Sequence, residues 1–405
     1  MWCLSFLLAA ILCLAEIPQE AQASPLPMGE CTADASDRTL NIIAITDMDK
    51  ESRTSPEGYT WRALTRKGQL FVKDELTNLE VTWDLSSDQN LTTHLNMKGR
   101  AMEMSDLVKF NGHLLSPDDK TGMIFEIEEK KVAIPWLFLN SGPGTTTSGM
   151  KAEWMTLKDD QLYVGGHGMA YRNKKGEIFS TDAMWIKIIS HDGVVKSVDW
   201  TDVYDKIAQA AGATSPGYLT HEAVQWSTIH KRWFFLPRKY STEIYNDELD
   251  ELRGTNLLIT ADESMEDIQV VKIGELTHPD RGYSAFDFVP GTCDGVILAL
   301  KSLEHGESTE SYITALDTDG KVLLEDQRLD GDLKFEGLYF LAPQDHDNPT
   351  TFDRIVTKAQ TIKQLLSEAA AERLMNPAAV PHSVQVGVVK AVIFHKEFPT
   401  KEANP

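Results

Sequence analysis

Two carboxylates close an apolar run near the start of the chain, in Thr46-Asp47-Met48-Asp49. Residues i and i+2 of a strand share a face. Asp47 and Asp49 can therefore act together, holding a metal or taking a proton from water. A second acidic pair, Asp118-Asp119, lies in Ser116-Pro117-Asp118-Asp119-Lys120-Thr121-Gly122, which also has the composition of a hairpin turn. Single oxygen donors recur at Ser105, Glu153, Glu222, Ser284 and Glu336, at intervals of 48, 69, 62 and 52 residues. Three carboxylates and two serines form a hard donor set. It suits calcium, which takes about six to eight oxygens in irregular geometry, better than zinc or copper. Spacing alone leaves a second reading open, five unrelated polar residues in turns. Arg100, Arg238 and Arg253 each adjoin Gly or Pro at a strand edge. Arginine suits bidentate phosphate contact, and each is equally compatible with a solvated surface.

Other chemistries lack their signatures. Gly142-Pro143-Gly144-Thr145 has no following Lys-Ser/Thr, so it reads as a loop rather than a phosphate cradle. No nucleophile elbow, Cys/His pair or His-Glu-x-x-His pattern is present, which argues against covalent catalysis and zinc. A formal net charge of -22 over 405 residues argues against nucleic acid as a partner and is compatible with divalent cations.

The elements that must position these residues are mostly strands. Runs of β-branched, aromatic and apolar residues recur at 41–45, 69–73, 79–83, 123–127, 161–164, 185–189, 233–236, 256–260, 269–273, 296–300 and 312–316. Short polar turns join many of them: Lys130-Lys131, Asp159-Asp160, Asp192-Gly193 and Thr318-Asp319-Gly320. A short helix is expected at 201–211. No strand–long helix alternation supports a parallel sheet. Each donor interval holds a hairpin and a following apolar strand, which matches the four-stranded blade of a propeller. The expected fold is an all-β, five-bladed β-propeller over 38–342. It carries an N-terminal arm, 24–37, and a short C-terminal extension, 343–405, of helix and strand. The innermost strands of such blades line one axis, so five equivalent donors would converge.

Residues 2–14 are an apolar run too short for a membrane span, and Ala21-Gln22-Ala23 offers a cleavage site before Ser24. The n-region lacks Lys and Arg. A signal peptide over 1–23 is expected, and no later segment is apolar enough to span a membrane. The mature chain is thus expected to be secreted. Of four cysteines, Cys31 and Cys293 lie beyond the signal; they can pair in a secretory compartment or stay as thiols. Asn90-Leu91-Thr92 is a glycosylation sequon.

Longer words then become recognisable. They include 45–53 around Asp47 and Asp49, Lys98-Gly99-Arg100 running on to Ser105-Asp106-Leu107, and Lys151-Ala152-Glu153-Trp154. Leu162-Tyr163-Val164-Gly165-Gly166, Pro216-Gly217-Tyr218-Leu219 with His221-Glu222, 232–238 ending in Pro237-Arg238, Gly254-Thr255-Asn256 and Lys334-Phe335-Glu336-Gly337 follow in order. Over about 40–342 the chain resembles the calcium-activated nucleotidase family, the secreted apyrases. The resemblance implies a five-bladed propeller with Ca2+ on its axis that hydrolyses nucleoside di- and triphosphates to monophosphates. By motif position, Ser105, Glu153, Glu222, Ser284 and Glu336 are expected to hold calcium. Asp47, Asp49, Asp106, Asp119, Arg238 and Arg253 are expected in phosphate binding or hydrolysis, and Arg100 and Trp154 on the nucleotide. Lys120 and Lys239 stand where the family usually has Arg, and Tyr171 lies near where some members carry Trp. A secreted propeller that binds calcium and a ligand without catalysis is the alternative, and a homodimer through a propeller face is compatible with either.

Overall fold

Alternating apolar residues between polar turns produce antiparallel four-stranded sheets, and five of these form a β-propeller. The computed structural model describes residues 31–342, except 75, 128–131, 174–176 and 307. The expected signal, the Lys130-Lys131 turn and the extension from 343 lie outside the described residues. In order from the axis outward, the first blade is Val108–Phe110, His113–Pro117, Met123–Ile127 and Ala133–Phe138. The second is Trp154–Lys158, Gln161–Gly165, Trp185–Ile189 and Val195–Asp199. The third is Tyr218–Ser227, Arg232–Ser241, Leu257–Asp262 and Ile268–Lys272. The fourth is Arg281–Phe288, Val296–His305, Ser308–Asp317 and Val322–Arg328. The fifth joins the two ends of the domain: Lys334–Leu341 is its inner strand, and Arg38–Asp47, Trp61–Lys73 and Asn78–Thr93 complete it.

That closure is nonlocal. Asn41 faces Leu341, Ile43 faces Tyr339 and Asp47 faces Lys334 in one antiparallel ladder. A disulfide between Cys31 and Cys293 ties the segment before it to the fourth blade. The expected helix is Thr201–Ala210, which buries Tyr204 and Ile207. These side chains join Trp154, Trp200, Trp226 and Trp233 in an aromatic core between the second and third blades. Each such large side chain stabilises by roughly 1.5–3 kcal/mol on burial. Asp159 and Asp160 both have positive φ in the two-residue turn expected of them.

Local irregularity of the inner strands matters most for the site. In the third blade the pairing passes from His221–Pro237 to Ala223–Leu236, leaving Glu222 unpaired. In the fourth, Tyr283 pairs with Lys301 and Ala285 with Leu300, leaving Ser284 out. In the fifth, Gly337 pairs with Ile45 and Phe335 with Thr46, leaving Glu336 out. Each of the three is the extra residue of a β-bulge, a device that re-aims one side chain against its neighbours.

Candidate active site

The chain direction decides which residues meet. Inner strands begin, and second strands end, on one face of the propeller. Glu153, Lys334 and Glu336 therefore come from inner-strand starts. Asp47, Asp119, Arg238 and Glu304 come from second-strand ends or the turns just after them. With Asp49, Lys120, Lys151, His167, Glu222 and Lys239 they line a cavity of about 510 Å³. The rim adds Tyr171, Arg172, Tyr245 and Glu251.

The wall is a network of opposed charges. Lys334 Nζ lies 2.7 Å from Asp47 Oδ2, 2.7 Å from Asp49 Oδ2 and 3.0 Å from Glu304 Oε1. Arg238 Nη1 donates to Glu222 and, at 2.6 Å, to Glu336 Oε1, while its Nη2 donates to Glu304 Oε2 at 2.5 Å. Lys151 donates to Glu153 and, at 2.7 Å, to Asp119 Oδ2. Lys120 reaches Asp119 and Glu103, each at 3.2 Å. Arg100 bridges Glu103 at 2.5 Å and Asp49 at 3.0 Å.

Burial raises several of these carboxyls and neighbouring cations pull against it. Burial pushes Glu336 up to about 8 despite Lys334 and Arg238. Glu222 rises to about 7 for the same reason, against Arg238. Asp47 is buried and raised well above the usual carboxylate range, with Lys334 opposing. Glu304 goes the other way: its burial is outweighed by Arg238 and Lys334, which hold it well below that range. Burial, reinforced by the Lys151 charge, pushes His167 down to about 3. Its ring is neutral, and Nδ1 accepts the Met169 amide at 3.1 Å.

Not every expected residue is at the cavity. Ser105 and Ser284 are buried but are not part of its wall. Ser284 Oγ donates to the Phe335 carbonyl at 3.0 Å, while Ser105 Oγ is buried without a partner. Trp154 opens the strand that Glu153 precedes, and its side chain is directed away from the cavity. Its indole is fully buried in the aromatic core, and Nε1 donates to the Gly166 carbonyl at 3.1 Å. Asp106 is buried between blades, accepting the Leu107 amide at 2.7 Å and the Met155 amide at 2.6 Å. Arg253 pairs with Glu243 on a loop and does not line the cavity. These three serve packing, strand linkage and a surface loop. Arg100 is not part of the wall either and pairs with Glu103 and with the wall residue Asp49.

Residue types and motifs did not single out Lys151, Lys334, Glu103, Glu304 or His167. The signal available for them is positional. Each lies within a few residues of an inner-strand start or a second-strand end on the cavity face, and blade boundaries alone would have nominated them.

Two groups of carboxylates could hold a metal. One oxygen each from Asp47, Asp49 and Glu103 lie within 4.8 Å of one another, but Lys334, Arg100 and Lys120 already face them. The other is drawn from the five recurring donors, of which Glu153, Glu222 and Glu336 line the cavity while Ser105 and Ser284 lie outside its wall. Glu222 and Glu336 are pushed up mainly by burial, and Ser105 offers a buried hydroxyl oxygen without a partner. Hard oxygens of this kind suit a divalent cation such as calcium, with Arg238 and Lys151 now paired with the three glutamates.

Residues 48–341 match the protein-family model described as Apyrase. An apyrase of Caenorhabditis elegans is 42% identical over 304 residues, covering 75% of this chain and 84% of that protein. The soluble calcium-activated nucleotidase 1 of Mus musculus is 42% identical over 300 residues, covering 74% and 73%. An apyrase of Cimex lectularius is 39% identical over 302 residues, covering 75% and 82%. With its five blades and its charge-lined axial cavity, this chain belongs to the apyrase family of nucleotide-hydrolysing enzymes.

Proposed function

We propose that this chain is a secreted, calcium-dependent phosphohydrolase that converts nucleoside di- and triphosphates to monophosphates. The observation that carries this reading is the meeting of Asp47, Asp49, Arg238, Lys334 and three axial glutamates in one cavity. Similarity to proteins named apyrase and calcium-activated nucleotidase supports it. The Cys31–Cys293 disulfide fits an oxidising, extracytosolic compartment. Among the described residues no helix is long and apolar enough to cross a membrane.

Ser105, Glu153, Glu222, Ser284 and Glu336 would hold the calcium. When bound, it supplies positive charge that offsets charge building on the phosphate oxygens. The chain's own residues do the rest. Arg238 and Lys334 receive phosphate oxygens through charge-assisted hydrogen bonds, strong because both cations are desolvated, their side chains 7% and 6% exposed. Lys151 and Lys120 hold Asp119 in place. Asp47 orients the attacking water and takes its proton. Burial makes this carboxylate a stronger base than a solvated one, and Lys334 keeps it in reach of the ionised form. Asp49, more exposed at 38%, guides the water from the open side.

The test is Glu222→Gln, which keeps size and removes one axial charge. Phosphate release from nucleoside diphosphate should fall by at least about tenfold at fixed calcium, with half-activation moved to higher calcium. Unchanged release and unchanged calcium dependence would contradict the axial donor set.

A further inference from the structure

Glu304 is the anomalous member of the cavity wall. It comes from the second strand of the fourth blade, one residue before that strand ends at His305, and Gly306 follows in the turn. Its carboxylate uses both oxygens on two different cations: Oε2 accepts from Arg238 Nη2 at 2.5 Å, and Oε1 from Lys334 Nζ at 3.0 Å. Of the other carboxylates on these cations, Asp49 is similarly open at 38% but contacts Lys334 alone, and the rest are held deeper. Asp47 and Glu336 side chains are 5% and 4% exposed, Glu222 is 13% exposed, and Glu304 is 42% exposed. Arg238 is divided accordingly. Nη1 faces the axial glutamates Glu222 and Glu336, and Nη2 faces Glu304.

A carboxylate bridging an arginine and a lysine presents two oxygens much as one edge of a phosphoryl group does. The acceptor positions are the same, the charge has the same sign, and a phosphoryl group carries more of it. Arg238 keeps Glu222 and Glu336, and Lys334 keeps Asp47 and Asp49, but the donors they aim at this point would lose their acceptor, which is costly for buried cations. A side chain that fills the position and can swing to solvent removes that cost between turnovers.

Resting on the function proposed above, we propose that Glu304 is a resident anion. It occupies the place between Arg238 Nη2 and Lys334 Nζ that a phosphoryl group of the substrate or released phosphate takes, and it swings out when that group binds. Glu304 is thereby a positioning residue that keeps both cations aimed into the cavity and lowers the affinity for free phosphate. No bond is made or broken by it.

The experiment is direct binding of inorganic phosphate to the purified chain with calcium present, by isothermal titration calorimetry, for the natural protein, Glu304→Gln and Glu251→Gln. Glu251 lines the same cavity and lies 3.4 Å from His305, so it controls for removing a negative charge near the site. Thermal melts establish that each variant is folded. The expected result is phosphate binding about tenfold tighter in Glu304→Gln, with Glu251→Gln shifted less than about threefold. Glu304→Asp, which keeps the charge on a shorter arm, should bind phosphate with an intermediate affinity. Equal tightening in Glu304→Gln and Glu251→Gln would reduce the effect to general electrostatics and overturn the proposal. Unchanged or weaker binding in folded Glu304→Gln would overturn it also, since Glu304 would then be a structural clamp. If Glu304→Gln does not fold, Glu304→Asp binding phosphate no tighter than the natural protein overturns it. Turnover of nucleoside diphosphate by the natural protein separates the two readings. Hydrolysis without the Glu304 effect removes this inference alone, and absence of both hydrolysis and phosphate binding removes both.

Discussion

Arg238 and Arg253 look alike in sequence and differ in place. Each stands beside Gly or Pro at a strand edge, and the resemblance nominated both. Arg238 is buried and meets three carboxylates, while Arg253 holds one loop glutamate that is itself 65% exposed. Exposed pairs of that kind contribute about 0–1 kcal/mol. Arg238→Ala should therefore lower kcat/KM by at least about 100-fold. Arg253→Ala should change it by less than about threefold, and assays on both variants check this. A larger loss from Arg253 would put the phosphate nearer that loop than the cavity wall. Asp47, Asp49 and the axial glutamates were legible because short motifs carry them. Lys334 and Lys151 sat inside those same motifs, yet a lysine's role depends on what faces it. The facing carboxylates come from strands far away in sequence, Asp47 for one and Asp119 for the other.

At the scale of elements, period-2 alternation and turn residues marked most strands, because one face of each is buried and the turns need particular backbone conformations. The bulges at Glu222, Ser284 and Glu336 were not legible. A bulge is a mismatch between two strands and leaves no mark in either alone. Asp106 shows what such joints need: its carboxylate links the loop before one inner strand to the start of the next. Asp106→Ala leaves two buried amides without acceptors. It should lower stability by about 2–5 kcal/mol in denaturant titration, while phosphate release per folded molecule changes less than about threefold. Lys187 makes a second joint, donating to the Gly142 carbonyl at 2.5 Å and to Ser197 Oγ at 2.7 Å. Burial pushes this amine down to about 8. Between about pH 8 and the unfolded value near 10.4 the unfolded chain binds the extra proton, so stability should rise with pH in that window. Below about 8 the cost of the buried charge is fully present. Lys187→Met should remove that rise, as read from denaturant midpoints of both proteins across pH 7.5–10; a slope common to both would assign it elsewhere.

For the molecule as a whole, donor spacing and hairpins suggested five blades and the family resemblance made the reading specific, whereas the closing ladder between Arg38–Asp47 and Lys334–Leu341 pairs segments almost 300 residues apart. No local pattern encodes such a pairing. The closure has a direct consequence for chemistry, because it sets Asp47 opposite Lys334 and so completes the cavity. The same scale shows a contrast in charge. The chain carries a formal net charge of -22, yet Lys120, Lys151, Arg238, Lys239 and Lys334 converge on one cavity. Carboxylates of the same wall pair with these cations, so the cavity offers fixed donors for phosphate oxygens rather than a field of one sign. The most direct test of nucleotide hydrolysis is phosphate release from ADP, ATP, UDP and GDP by the purified chain, with calcium, with magnesium and with chelator. The expected result is release with calcium, little with magnesium and none with chelator. Folded protein that releases no phosphate with calcium, or releases it equally in chelator, would contradict it.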